Sequence, residues 1–327
     1  MTTMAVDTTT TSPKKTLRLK IGVIVSALFA LILLLLPLAA GYFDTPFYVL
    51  LVTRLLVFAV AATALNLVLG FGGMVSFGHS LFIGIGAYAV AIPAFYGISN
   101  GWVHLAFAIV VSALAAAATG AIALRTRGVA FIMITLAFAQ MFFFLTVSLK
   151  QFGGDDGLPI RLASSFGGAT LKQPVLLYYI VFATLCAIVY GSYRLYHSPF
   201  GLVLRGCMIN EDRMKALGYP TITYKLVAYM TSGALAGVSG FFLANMTTFA
   251  SPAYASWTVS GDLMIMVVLG GTGTVLGPAY GAFAFLLIED LLKRLTDHWL
   301  GSVGVVVVLV GLLAKRGLWG LLQGKVQ

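Results

Sequence analysis

The chain has 327 residues, of which 60% are hydrophobic and 9% charged, with 20 Lys and Arg against 10 Asp and Glu. Its mean hydropathy is +1.00, whereas soluble domains carry about 25% charged residues, so a soluble enzyme or binding module is excluded. The surplus positive charge is scattered between apolar runs, where it sets membrane orientation and does not point to nucleic acid.

Apolar runs long enough to cross a hydrocarbon core of roughly 30 Å recur along the chain. Barrel strands would instead give short alternating segments. The expected fold is all-α: a polytopic, glycine-rich helical membrane protein with about nine membrane segments, some short or re-entrant.

Residues 1–20 form a Thr-rich tail ending in Lys14, Lys15, Arg18 and Lys20, expected to be disordered and cytoplasmic. The membrane-embedded body is expected over 21–314. Its first run, Ile21 to Ala40, is longer than the roughly 7–15 apolar residues of a secretory signal, which favours an uncleaved span. Leu38-Ala39-Ala40-Gly41 keeps cleavage open as the alternative. A second span enters from about Phe47, and a third emerges by about Tyr96. Spans then follow at Gly101 to Leu124, Gly128 to Leu149, Pro174 to Tyr193 and Leu226 to Phe249. Residues 150–173 read as an outer loop, rich in glycine, proline and charge. Residues 194–225 read as the longest cytoplasmic loop. Three shorter runs close the body: Trp257 to Leu269, Val275 to Ile288 and Trp299 to Ala314. Residues 315–327 are expected to be a cytoplasmic tail. Basic residues fall close to three to one on the assigned cytoplasmic side, among them Arg125, Arg127, Arg194, Arg205, Arg213, Lys215 and Lys225.

The stretch Leu65 to Tyr88, LNLVLGFGGMVSFGHSLFIGIGAY, lacks charge yet is interrupted by Gly70, Gly72, Gly73, Gly78, Gly84 and Gly86. Glycine costs about 1 kcal/mol relative to Ala inside a helix, but it permits broken helices and close backbone approach. A related pattern returns at VVLGGTGTVLGPAYGAF, where Gly270, Gly273 and Gly277 answer Gly70, Gly73 and Gly78. Paired glycine-interrupted apolar segments point to a transport path in transporters. The candidate path residues are therefore Asn66, Gly70, Gly73, Ser76, Gly78, His79, Gly270, Gly273 and Gly277. For Asn66 and His79 the competing expectation is that they satisfy backbone groups freed at a helix break. Arg54, two turns into the second span, is costly there unless paired or snorkelling; Asp262, at a similar outer depth, is a candidate partner, and snorkelling to the outer headgroups is the competing explanation.

In the cytoplasmic loop, Leu202 to Leu217 is expected to form one short amphipathic helix, with Leu204, Met208 and Ile209 toward one side, stopped by Gly218 and Pro220. Asp155 and Asp156 open the outer loop as a candidate docking surface. Cys186 and Cys207 show no metal or disulfide spacing. No metal site, catalytic constellation or phosphate-binding G-x-x-x-x-G-K-[ST] loop is found in the sequence.

Asn210-Glu211-Asp212-Arg213-Met214-Lys215-Ala216-Leu217-Gly218 resembles the cytoplasmic coupling segment of ABC importer permeases, in the form used by branched-chain amino-acid permeases. Asp212 and Arg213 stand where the general motif has two alanines. The glycine-rich segment, RTRGVAFIMITLAFAQ, FGGDDGLP, MVVLGGTGTVLGPAYGA and AKRGLWGLL resemble other parts of the same family, from about Phe47 onward. The extra first span and long outer loop look more like its LivM-type than its LivH-type subunit. The resemblance implies ATPase coupling through Glu211, Asp212, Ala216 and Gly218. It also implies a second, LivH-type permease, two ATP-binding subunits and a periplasmic binding protein as partners, with no cofactor of this chain's own. Permeases for urea, small amides or other amino acids would look alike. A stand-alone ion-coupled carrier is the alternative from another class.

Overall fold

The computed structural model describes residues 25–38, 46–295 and 317–323, with positions 298, 301, 304 and 305. Helix α1 is Val25–Leu38. It is followed by α2 (Pro46–Leu69), α3 (His79–Phe95), α4 (Gly101–Ala123), α5 (Val129–Ser148) and α6 (Pro174–His197). Then come α7 (Pro199–Ile209), α8 (Glu211–Ala216), α9 (Thr221–Thr247), α10 (Trp257–Gly270), α11 (Gly277–Leu295) and α12 (Gly317–Gln323). Five of these, α2, α4, α5, α6 and α9, are long and apolar enough to cross a bilayer. The chain is a multi-pass, all-α membrane protein. Its only strands among the described residues are two-residue pairs, β1 (Leu158–Pro159) with β4 (Phe249–Ala250) and β2 (Ser165–Phe166) with β3 (Ala169–Thr170).

Helices that are apolar all round are either buried or lipid-facing, and both kinds occur. Along α2, Leu55 to Val68 is almost wholly enclosed, apart from half-buried Phe58. On α4 and α5 the large side chains Trp102, Val110, Leu114, Met133, Met141 and Phe144 point outward. Helix α9 is the axis of the bundle, packed against α2, α3 and α4. Glycine lets it close on α3: a Cβ on Gly240 would lie 2.0 Å from the Ile83 carbonyl oxygen, and one on Gly86 2.0 Å from that of Gly237.

The bundle has two dissimilar ends. At one, the 150–173 loop is stapled to its neighbours: Ser165 N–H donates to the Ser99 carbonyl at 2.8 Å, and Ser164 N–H to Asn245 Oδ1 at 3.1 Å. His104 links the Ser164 hydroxyl (2.8 Å) to the Ile98 carbonyl (3.1 Å). This is the loop end. At the other, α7 and α8 gather against the α4–α5 elbow and the start of α9.

Three expectations need correction. The stretch expected as one helix over Leu202 to Leu217 is two helices. Asn210 adopts extended backbone (φ −156°, ψ 98°) and caps α8, its Oδ1 accepting from Arg213 N–H at 2.9 Å. The inward side of α7 carries Val203, Leu204 and Cys207, while Ile209 is 84% exposed. The expected loop over 194–225 is also mostly helical, since α6 continues to His197 and α9 begins at Thr221. Part of the expected C-terminal tail is α12, whose Trp319 is buried and stacks on Tyr280 with ring centroids 5.3 Å apart. The Thr-rich tail and most of the run Trp299 to Ala314 lie outside the described residues.

Candidate functional site

The glycine-rich centre is a break between two helices. Helix α2 ends at Leu69, the chain turns through Gly70 to Gly73 (φ +65° at Gly73), and Met74 to Gly78 climbs back to the start of α3. Non-helical backbone at membrane depth must be enclosed by protein or line a wet cavity. Here α5 supplies part of the cover, with Thr135 Oγ1 accepting from Phe77 N–H at 3.2 Å.

The second glycine segment forms the matching break between α10 and α11, and the two breaks meet. Asn66 Nδ2 donates to the Thr274 carbonyl at 2.8 Å, and its Oδ1 accepts from Gly273 N–H at 3.1 Å. A Cβ on Gly70 would fall 2.5 Å from Gly273 N. On α10–α11, a Cβ on Gly270 would lie 1.9 Å from the Gly277 carbonyl oxygen. The repeat suggested by Gly70 and Gly73 against Gly270 and Gly273 thus corresponds to a physical contact between its two copies.

His79 is wholly buried at the start of α3. Its Nε2 lies 2.8 Å from Ser232 Oγ, and its Nδ1 3.3 Å from Ser76 Oγ. Ser232 donates its hydroxyl hydrogen to the Ala64 carbonyl, so the hydrogen between His79 and Ser232 belongs to Nε2, and Nδ1 accepts from Ser76. The ring therefore ties α3 to α9 and, through Ser232, to α2. Asn66 and His79 both use their polar atoms inside the chain, as braces at the breaks. Ser80 makes a parallel link, its N–H donating to Ser260 Oγ of α10 at 2.9 Å.

Glu211 is the centre of the other cluster. Its side chain is 12% exposed and receives Lys225 Nζ at 2.6 Å, Lys215 Nζ at 3.1 Å and Arg127 Nε at 3.4 Å. Thr221 Oγ1 donates to it at 3.1 Å. Burial alone would raise the carboxyl pKa; the hydrogen bonds from Lys225 and Lys215, the Lys225 charge and the Thr221 hydroxyl outweigh it and hold the group at about 2. Glu211 thereby joins the α4–α5 elbow, α8 and the foot of α9. Asp212, 80% exposed, takes Arg127 Nη2 at 3.5 Å. Ala216 is exposed, and Gly218 (φ +86°) closes α8. Leu202, Ile209 and Leu217 stand exposed around this hub.

The hub touches the first break. A Cβ on Gly73 would lie 2.7 Å from Met208 Cγ, and one on Gly72 3.5 Å from Leu204 Cδ1. Phe71 and Tyr196 pack with ring centroids 5.2 Å apart. Between Gly72–Val75, the 124–132 elbow and α7–α8 lies a cavity of about 230 Å³.

At the loop end, Gly153 (φ +91°) and Gly157 (φ +80°) bound a tight turn that presents Asp155 and Asp156 to the surroundings. A Cβ on Gly153 would meet the Gly157 carbonyl oxygen at 2.0 Å, so only glycine fits there. The candidate pairing of Arg54 with Asp262 is not found: Arg54 Nη2 lies 3.7 Å from Glu289 Oε1 and its guanidinium 5.9 Å from the Phe58 ring. Glu289, on α11, is nearer in space because α11 packs directly along α2.

Sequence reasoning missed Ser232, Thr274, Arg127, Lys225 and Met208 as partners. Arg127 and Lys225 carried a signal as basic residues assigned to the same side as Glu211; the others are ordinary helix or loop residues whose roles come from tertiary proximity. No group of three or more potential metal ligands occurs among the described residues.

Comparison with known proteins fits this architecture. The high-affinity branched-chain amino acid transport system permease protein LivM of Salmonella typhimurium is 24% identical over 315 residues, covering 89% of this chain and 74% of that protein. The corresponding LivH protein of Escherichia coli K12 is 23% identical over 284 residues, covering 80% and 91%. The autoinducer 2 import system permease protein LsrC of Enterobacter sp. is 26% identical over 288 residues, covering 83% and 81%. A family model described as the permease component of the branched-chain amino acid transport system matches residues 47–313, a range that holds both helix breaks, the Glu211 hub and the 150–173 loop. The chain therefore belongs to the family of branched-chain amino acid transport system permease components.

Proposed function

We propose that this chain is one permease subunit of an ABC importer that moves branched-chain amino acids into the cytoplasm. The observation that carries the reading is the family match across 47–313. In this reading a LivH-type permease completes the pathway, two separate ATPases drive it and a periplasmic binding protein delivers the substrate. The chain lies in the bacterial inner membrane with both termini cytoplasmic, so the hub end faces the cytoplasm, as its basic residues favour. ATPase closure presses on α7 and α8 through Ile209, Leu217, Asp212 and Ala216. Glu211 holds these helices to the bundle. The first break, with Gly70, Gly73, Ser76 and Gly78, and the second, with Gly270, Gly273 and Gly277, form one wall of the path, braced from behind by Asn66 and His79. Asp155 and Asp156 contact the binding protein. The switch requires a partner that interacts differently with two states, which nucleotide-dependent ATPases supply.

Reconstitution tests this. Vesicles holding the chain with its permease partner, ATPases and binding protein accumulate radiolabelled leucine when ATP is supplied, and vesicles holding the chain alone do not. Accumulation by the chain alone overturns the reading in favour of an ion-coupled carrier. The relation to LsrC favours one second reading, a different small solute carried by the same machinery; urea, small amides and other amino acids belong in the same uptake assay.

A further inference from the structure

The cavity of about 230 Å³ at the hub end lies where two functional parts meet. The first helix break, Gly72 to Val75, lines it together with Met208 and Glu211 of α7 and α8; the elbow contributes Arg127, Phe131 and Ile132. Its volume is below the roughly 300–1,000 Å³ of drug-sized sites, and fits a small metabolite. The lining divides by chemistry. Val75, Phe131, Ile132 and Met208 offer an apolar surface. Arg127 offers a guanidinium whose side chain is 58% exposed and which gives Nε to Glu211 and Nη2 to Asp212. A guanidinium has five N–H donors, so donors are left for a further carboxylate. Glu211 already faces three cationic side chains, so its own charge is offset at the cavity rim.

We infer that this cavity is a regulatory binding site, open to the hub end, for a small aliphatic carboxylate of amino-acid size. Arg127 takes the carboxylate and the Phe131–Ile132–Met208 surface takes the aliphatic body. Such an occupant sits beside the contact between α7 and the Gly72–Gly73 turn, touches both, and keeps α7 from shifting against the break. The consequence is inhibition from the product side: the solute accumulated at the hub end slows further uptake. This inference rests on the import reading above, which makes the hub end cytoplasmic.

The test uses the full reconstituted complex, with vesicles preloaded with L-leucine, with its 2-oxo acid 4-methyl-2-oxopentanoate, or with leucinamide, which lacks the carboxylate. Initial uptake of external labelled leucine is measured, and the two acids are also titrated against the purified complex by thermal shift. The expected result is slower uptake with either preloaded acid, no effect of leucinamide, and a thermal shift by the acids. Ile132→Trp, which fills the cavity, abolishes both the inhibition and the shift. Arg127→Gln weakens acid binding about tenfold, the loss of a charge-assisted pair. Inhibition by leucine alone marks the free amino acid as the occupant; inhibition by both acids marks any such carboxylate. If Ile132→Trp fails to assemble, Val75→Phe fills the same space from the helix break. Normal uptake that is indifferent to preloading overturns the site and leaves the import reading standing. Absence of uptake in the unmodified complex overturns the import reading, and the thermal shift then decides the site: no shift by either acid, or an equal shift in Ile132→Trp, removes it.

Discussion

Glu211 and Lys225 are joined across the foot of α9 by a 2.6 Å charge-assisted hydrogen bond, with only 12% and 14% of their side chains exposed. The pair fastens the short helix α8, itself too short to be stable alone, to the longest helix of the bundle. Removing the carboxylate leaves Lys225 partly buried without its counter-charge. Glu211→Gln is expected to destabilise the chain by about 1–3 kcal/mol, seen as a lower melting temperature in detergent. ATPase subunits should co-purify less well with the variant. An unchanged melt would show that Lys215, Arg127 and Lys225 find other partners.

The same carboxyl gives a pH signature. Its pKa is lowered from 4.5 to about 2 by its basic neighbours, despite burial. A depressed carboxyl pKa contributes stability that is complete above the ordinary value and is lost as pH falls through the folded-state value. The stability difference between the native chain and Glu211→Gln should therefore be constant above about pH 5 and shrink between about pH 5 and pH 2. Melting curves over that range measure it. A difference that persists unchanged to the acid limit would mean that Glu211 acts through packing and not through charge.

Asn66 answers two backbone groups of the opposite break at once. Asn66→Leu leaves Gly273 N–H and the Thr274 carbonyl without this partner, at about 1–3 kcal/mol for each buried group left unsatisfied. Asn66→Asp keeps the acceptor for Gly273 N–H but sets a buried carboxylate oxygen against the Thr274 carbonyl, and an unpaired buried charge costs more than a lost hydrogen bond. Thermal stability and leucine uptake should rank native first, then Asn66→Leu, then Asn66→Asp.

Glycine contacts make a paired prediction. Gly240→Ala places a methyl 2.0 Å from the Ile83 carbonyl oxygen, and must push α3 away from α9. Gly191→Ala, on the exposed side of α6, meets nothing within 4 Å and gains up to about 1 kcal/mol of helix propensity. The first should lower yield of folded protein by size-exclusion chromatography, and the second should not.

Asp155 and Asp156 are held outward by a turn that only glycine can close. Replacing both with Asn removes charge without disturbing the turn. Stimulation of ATP hydrolysis by loaded binding protein should fall several-fold, and Asp155→Glu with Asp156→Glu should restore most of it. Equal stimulation in the Asn variant would place the docking surface elsewhere.

Much of the architecture was legible because hydrophobic length and glycine placement are properties of contiguous sequence. The limits of α2, α4 and α10 and the two breaks follow from them. What was not legible depends on residues brought together from afar. Asn210 splits α7 from α8 because its side chain caps the second helix as well as one could cap a loop, a choice that periodicity over Leu202 to Leu217 does not register. Arg54 meets Glu289 and not Asp262 because of how α11 lies along α2, which depth alone does not specify. Ser232 is one of several small residues on α9, and only its neighbours His79 and Ala64 single it out.

The clasp between the two helix breaks has a mechanical consequence. With Asn66 bonded to Gly273 and Thr274, and Gly70 against Gly273, α2–α3 and α10–α11 are riveted into one slab. In the import reading proposed above, a cysteine bridge drawn across that clasp should leave transport running, because the two helix pairs then move as one body.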